Sequence, residues 1–103
     1  MTIQINTDKN IDGNERFTEY LTTLLQDELG RYDKITRIEA HISDENGTKE
    51  GQADKRCLLE ARLEGKQPIA VTNMADTHEQ AVDGAIDKLK ASLETILGRE
   101  RNY

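Results

Sequence analysis

The 103-residue chain carries 14 basic against 20 acidic residues, a formal charge of −6 at pH 7. That balance excludes the uniformly basic surface of a general nucleic-acid binder. The length allows one domain that buries roughly two-thirds of its unfolded surface, enough to fold without a disulfide or a structural metal. Cys57 is the single cysteine, which rules out an internal disulfide and fits a reducing compartment. No apolar run exceeds three residues, so a membrane-spanning helix is not expected. The opening Met1-Thr2-Ile3-Gln4-Ile5-Asn6 has no signal-peptide character, and a cytoplasmic setting is expected.

Ile3 and Ile5 alternate with polar neighbours, predicting a short first strand with one buried face. Asp12-Gly13-Asn14 breaks the chain. Phe17, Tyr20, Leu21, Leu24, Leu25 and Leu29 then form one helical stripe, which Gly30 ends in the manner of a C-terminal cap. From Ile35 the period changes to two, with Ile38, Ala40 and Ile42 on one face and Arg37, Glu39, His41 and Ser43 on the other. Asp44 to Asp54, containing Asn46-Gly47 and Gly51, predicts a flexible turn region. Cys57, Leu59, Ala61 and Leu63 give the next strand its inward face. Gly65-Lys66-Gln67 is a hairpin turn, and Pro68 opens a strand through Met74. Either Ile69 and Val71 or Ala70, Thr72 and Met74 point inward in that strand.

The last helix carries two overlapping capping boxes, Asp76 with Glu79 and Thr77 with Gln80. Its stripe runs Ala81, Val82, Ala85, Ile86, Leu89, Leu93, Ile96 and Leu97 to Gly98, so residues 1–98 form the domain and 99–103 a frayed tail. The order β-α-β-β-β-α predicts an α+β fold of two layers. A four-stranded sheet keeps one face in water and packs both helices on the other. A right-handed crossover puts the first strand beside the second and parallel to it.

Chemistry is not signalled. His41 and His78 lack Cys, Asp or Glu at metal-ligand spacing and read as solvated histidines. Cys57 alternates with core residues and has no partner histidine. The carboxylates lie on helix backs and in loops, and the glycines form neither a Walker loop nor a dinucleotide fingerprint. No enzyme, metal or cofactor is expected.

Three stretches point further. Arg31-Tyr32-Asp33-Lys34-Ile35 falls between the first helix and second strand, and Leu63-Glu64-Gly65-Lys66-Gln67-Pro68-Ile69 spans the turn between the third and fourth strands. Ala81-Val82-Asp83 with Asp87-Lys88-Leu89 lies on the last helix. Together with the element order they resemble the ribosome hibernation-promoting factors and ribosome-associated inhibitors, a family also called sigma-54 modulation proteins, in its short form. The resemblance covers nearly the whole chain. It implies a double-stranded-RNA-binding-like fold that docks on the small ribosomal subunit and occludes the mRNA/tRNA channel under stress or in stationary phase. Lysines and arginines on rRNA phosphates would hold it there.

The basic residues available for that role are Arg31, Lys34, Arg37, Lys55, Arg56, Arg62, Lys88 and Lys90. Arg37 and Arg62 share the predicted outer sheet face and are candidate neighbours; alternatively Glu39, Glu60 and Glu64 neutralise them across strands. The first helix itself offers only Arg16, and Ala91 and Thr95 on the last helix stand where the family commonly carries basic residues. The competing reading is the same fold repurposed as a protein-binding regulatory module that does not bind ribosomes. A monomer or weak dimer is expected in either case.

Overall fold

The computed structural model describes residues 1–8, 14–44 and 55–101; the predicted breaks at 12–13 and 45–54 and the last two tail residues lie outside them. The chain runs β1 (Thr2–Thr7), α1 (Asn14–Leu29), β2 (Ile35–Asp44), β3 (Lys55–Leu63), β4 (Ile69–Ala75) and α2 (His78–Arg101). The sheet order is β1-β2-β3-β4, with β1 parallel to β2 and the remaining pairs antiparallel. This is the predicted β-α-β-β-β-α sandwich. Ile38, Ala40, Ile42, Cys57, Leu59, Ala61 and Leu63 point into the helix layer. There they meet Leu21, Leu25 and Leu29 of α1 and Val82, Ala85, Leu89 and Leu93 of α2, all buried. Burying each large aliphatic side chain is worth about 1.5–3 kcal/mol, so this single layer supplies most of the driving force.

The two helices run parallel. Phe17 near the start of α1 packs on His78 at the start of α2, with ring centroids 5.8 Å apart. At the other end Glu28 accepts a hydrogen bond from Lys90, and Tyr32, just past α1, bonds Glu94. Of the two capping boxes the second is used: Thr77 Oγ1 accepts from the Gln80 amide at 3.1 Å. The helix does not stop at Gly98 but continues to Arg101, since a lone glycine lowers helix propensity by only about 1 kcal/mol. Gly30 does end α1, but outside the left-handed region. A Cβ there would lie 2.5 Å from the Gln26 carbonyl oxygen, so the cap rests on close approach instead of a positive φ.

Two further details depart from the periodic reading, and a third settles a choice it left open. Tyr20, placed in the α1 stripe, is 44% exposed; the stripe centres on Leu21, Leu25 and Leu29, and a phenol is tolerated at its margin in water. Between Ile35 and Arg37 the register shifts, Ile35 opposing Leu63 and Arg37 opposing Arg62. The resulting bulge at Thr36 lets Ile35 and Ile38, three apart, both face the core. In β4 the face of Ile69 and Val71 is the inward one, and Asn73 follows them inward opposite Cys57.

Asn73 explains the glycine in α2. Its Nδ2 donates to the Ala81 carbonyl at 3.2 Å, and a Cβ on Gly84 would stand 2.1 Å from that nitrogen. Overpacking of this kind costs about 1–3 kcal/mol, against a helix-propensity gain of about 1 kcal/mol for Gly→Ala. Gly84→Ala is therefore expected to destabilise the wild-type protein in urea unfolding. In an Asn73→Ala background the same change should become neutral or stabilising, a coupling that a double-mutant cycle measures.

Candidate nucleic-acid interface on the open sheet face

The face of the sheet away from the helices presents Gln4 and Asn6 on β1; Arg37, Glu39, His41 and Ser43 on β2; Arg56, Leu58, Glu60 and Arg62 on β3; and Ala70, Thr72 and Met74 on β4. Among the described residues it carries no phenylalanine, tyrosine or tryptophan on which unpaired bases could stack. Its polar groups fall in rows across the strands. Arg37 lies opposite Arg62, Glu39 opposite Glu60, and Ser43 opposite Arg56. Like charges directly opposite are unfavourable, and the structure offsets them along the strand. Arg37 Nε donates to Glu39 Oε2 at 3.0 Å, while its other end donates to Gln4 across the parallel pair. The Arg37 hydrogen bond is the main reason the Glu39 carboxyl ionises below the usual glutamate range, with Arg37, His41 and Arg62 charges adding to it.

The eight predicted basic residues do not converge on one surface. Arg37 and Arg62 are cross-strand partners on the open face, as their alternation predicted, and Lys34 stands at the same end, its carbonyl bonded to the Glu64 amide at 2.8 Å. Arg56 occupies the far end of the same face. Lys55, one residue earlier, has the opposite parity and pairs with Asp44 at 3.3 Å. Lys88 reaches over the β4 edge and donates to the Thr72 carbonyl at 2.8 Å.

Lys90 turns the other way, toward α1 and Glu28. Arg31 covers Tyr32, its guanidinium carbon 4.9 Å from the ring centroid and its Nη2 donating to the phenol oxygen at 2.8 Å. The buried Tyr32 in turn donates to Glu94 at 2.9 Å. Arg31 and Lys90 thus lock the α1–β2 corner to α2. Sequence spacing gives no sign of the Tyr32–Glu94 and Glu28–Lys90 ties, whose partners are 62 residues apart along the chain.

The remaining reactive groups are structural. Burial pushes the Cys57 thiol up to about 12, with the Arg56 charge opposing it weakly, leaving almost no thiolate at neutral pH. His41 is half-exposed, 3.7 Å from Glu39. His78, expected to be solvated, is half-buried against Phe17, and its Nδ1 is buried without a hydrogen-bond partner. The first turn of α2 abuts the start of α1, which removes that nitrogen from water. Among the described residues no cluster of three His, Cys, Asp or Glu side chains could hold a metal ion, and no helix is long and apolar enough to cross a membrane.

Two solution measurements check this geometry. Glu28 and Glu39 both ionise below their ordinary range, chiefly through the Lys90 and Arg37 hydrogen bonds. A lowered folded value adds stability above the unfolded pKa, and that contribution is lost as pH falls through the folded one. Carboxyl carbon NMR titration should place both midpoints below free glutamate, and Lys90→Met should return Glu28, but not Glu39, to the ordinary range. Cys57 in the native protein should resist iodoacetamide at pH 8 and react fully in denaturant, as mass spectrometry would record.

A family model described as sigma 54 modulation protein / S30EA ribosomal protein matches residues 3–101. The fold is similar to a ribosomal subunit interface protein from Coxiella burnetii, at 20% identity and a TM-score of 0.70, covering 95% of this chain and 99% of that one. It is equally similar to the Thermus thermophilus Protein Y N-terminal domain, at 17% identity and a TM-score of 0.71, covering 93% and 99%. No curated protein sequence matches the chain. With its β-α-β-β-β-α sandwich matched from the first strand to the end of the last helix, the chain belongs to the sigma 54 modulation protein / S30EA ribosomal protein family.

Proposed function

We propose that this protein is a ribosome-associated regulator of translation that turns its open sheet face toward rRNA. Family membership and the likeness to a ribosomal subunit interface protein support the ribosome as partner. The observation that carries the choice of face is the Arg37–Arg62 pair, set side by side on the one sheet surface that the helices leave uncovered. Among the described residues that face carries three arginines against two glutamates, in a chain whose net charge is −6. Lys34 extends the basic end, and Arg56 marks the other. Lys55, Lys88, Lys90 and Arg31, each held by an acidic or polar neighbour, are secondary contributors that must exchange those neighbours for phosphate.

A face without phenylalanine, tyrosine or tryptophan suits backbone and 2′-hydroxyl contacts on A-form RNA better than base readout. Silencing follows sterically: bound in the small-subunit channel, the domain occupies the path of mRNA and tRNA under stress or in stationary phase. The protein acts in the cytoplasm, as a monomer or weak dimer, and without catalysis.

Co-sedimentation with small subunits and whole ribosomes at stepped salt tests this. Pelleting is expected at low salt, falling as salt rises with a slope that counts the phosphates neutralised. Arg37→Glu with Arg62→Glu should shrink that slope by about one unit for each phosphate no longer neutralised. Lys90→Ala should change it less. Absence of pelleting at the lowest salt would overturn the proposal.

A further inference from the structure

The outer surface of the helix layer has the opposite character. Acidic residues outnumber basic ones there: α1 carries four carboxylates against Arg16 alone. On α2, two of the four basic residues, Lys88 and Lys90, are already engaged by the Thr72 carbonyl and Glu28. Within this surface lies a groove of about 510 Å³ lined by Arg16, Glu19, Tyr20, Thr23, Leu24 and Asp27, and its surface is mostly apolar. These positions recur at helical spacing and form one stripe beside the buried one.

Tyr20 is the prominent side chain, 44% exposed and stacked on Phe17 with ring centroids 6.3 Å apart. The Phe17 ring holds it in place. The Phe17–His78 contact brings the start of α2 against this end of α1, and partial burial, followed by the negative charges of Asp83 and Glu79, holds the Tyr20 phenol above its ordinary pKa.

We propose that this groove docks a cationic polypeptide segment bearing an aromatic or aliphatic anchor residue. Tyr20 and Leu24 supply the apolar floor, while Glu19, Asp27, Glu79 and Asp83 supply the charge. A pre-held, partly exposed tyrosine is the residue type that most often dominates a protein interface, because little side-chain freedom remains to be lost. The surrounding carboxylates steer and select, each adding little alone. The same carboxylates repel phosphate, so RNA is excluded from this face. Such docking does not depend on ribosome association; it gives the side turned away from the open sheet a second partner, of opposite charge.

The probe is a synthetic lysine- and arginine-rich peptide with one central tryptophan. The protein has no tryptophan of its own, so the peptide's fluorescence reports binding directly. Saturable binding is expected, weakening with salt, with amide NMR shifts confined to residues 16–27 and 79–83. Tyr20→Ala should weaken binding by roughly tenfold or more. Asp83→Lys, an exposed change on the other helix, should weaken it several-fold, and Glu60→Lys on the open sheet face should leave it unchanged. Three results would overturn the proposal: Tyr20→Ala and Asp83→Lys binding like the wild type, shifts appearing on the sheet face, or sedimentation showing that the groove is filled by a second copy of the chain.

Discussion

The central strands of this protein are apolar on one face only. Every inward position of β2 from Ile38 to Ile42 and of β3 from Cys57 to Leu63 is buried and apolar, and Leu58 is the one apolar residue pointing the other way along β3. Both amphipathic helices must therefore pack on the same side, since that is where their stripes can be buried. The bare opposite face follows from that asymmetry, while the right-handed crossover sets β1 parallel beside β2. A sheet apolar on both faces would have drawn one helix to each side and left no open surface to carry charge.

The asymmetry also sorts the ionic groups. Three of the seven arginines, Arg37, Arg56 and Arg62, stand on the open sheet face where strands hold them at fixed spacing, while nine of the 20 carboxylates stand on the two helices. A chain that is acidic as a whole can then present a locally basic face, which a net charge summed over the full sequence conceals. The Arg37–Arg62 and Glu39–Glu60 rows are individually unfavourable arrangements. The hydrogen bond from Arg37 to Glu39 along β2 offsets that cost within the fold.

Much of this was legible in the residues. The element order, the parallel crossover, the inward faces of β2 and β3, a cap at either Asp76 or Thr77 and the burial of Cys57 follow from periodicity and local hydrogen-bonding rules. The rest was hidden for identifiable reasons. The bulge at Thr36 breaks strict alternation, and its only trace is the spacing of Ile35 and Ile38. The face of β4 was ambiguous because Asn73 points inward, where periodicity leads one to expect an apolar side chain; Gly84, eleven positions further along, is the complementary notch. The corner built from Arg31, Tyr32, Glu94, Lys90 and Glu28 is a contact between distant segments, and neither propensity nor period encodes such partners. For the same reason the eight basic residues looked equivalent in the sequence, although several of them are tied into the fold.

The parallel course of α1 and α2 has an electrical consequence. Peptide dipoles in the two helices add instead of cancelling, giving one end of the layer a partial positive charge and the other a partial negative one. Glu15 and Glu79 sit in the first turns of the two helices, at the positive pole. Arg31 and Lys34 follow immediately on the last turn of α1, which itself contains no basic residue. Arg16 in the first turn of α1 and Asp27 and Glu28 in its last turn run with the dipole, so the opposition is local to the acidic helix starts and to Arg31 and Lys34 beyond α1. An acidic surface is tolerated where the amide groups already supply compensation, and the molecule's long-range field is flatter than its roster of charges would suggest.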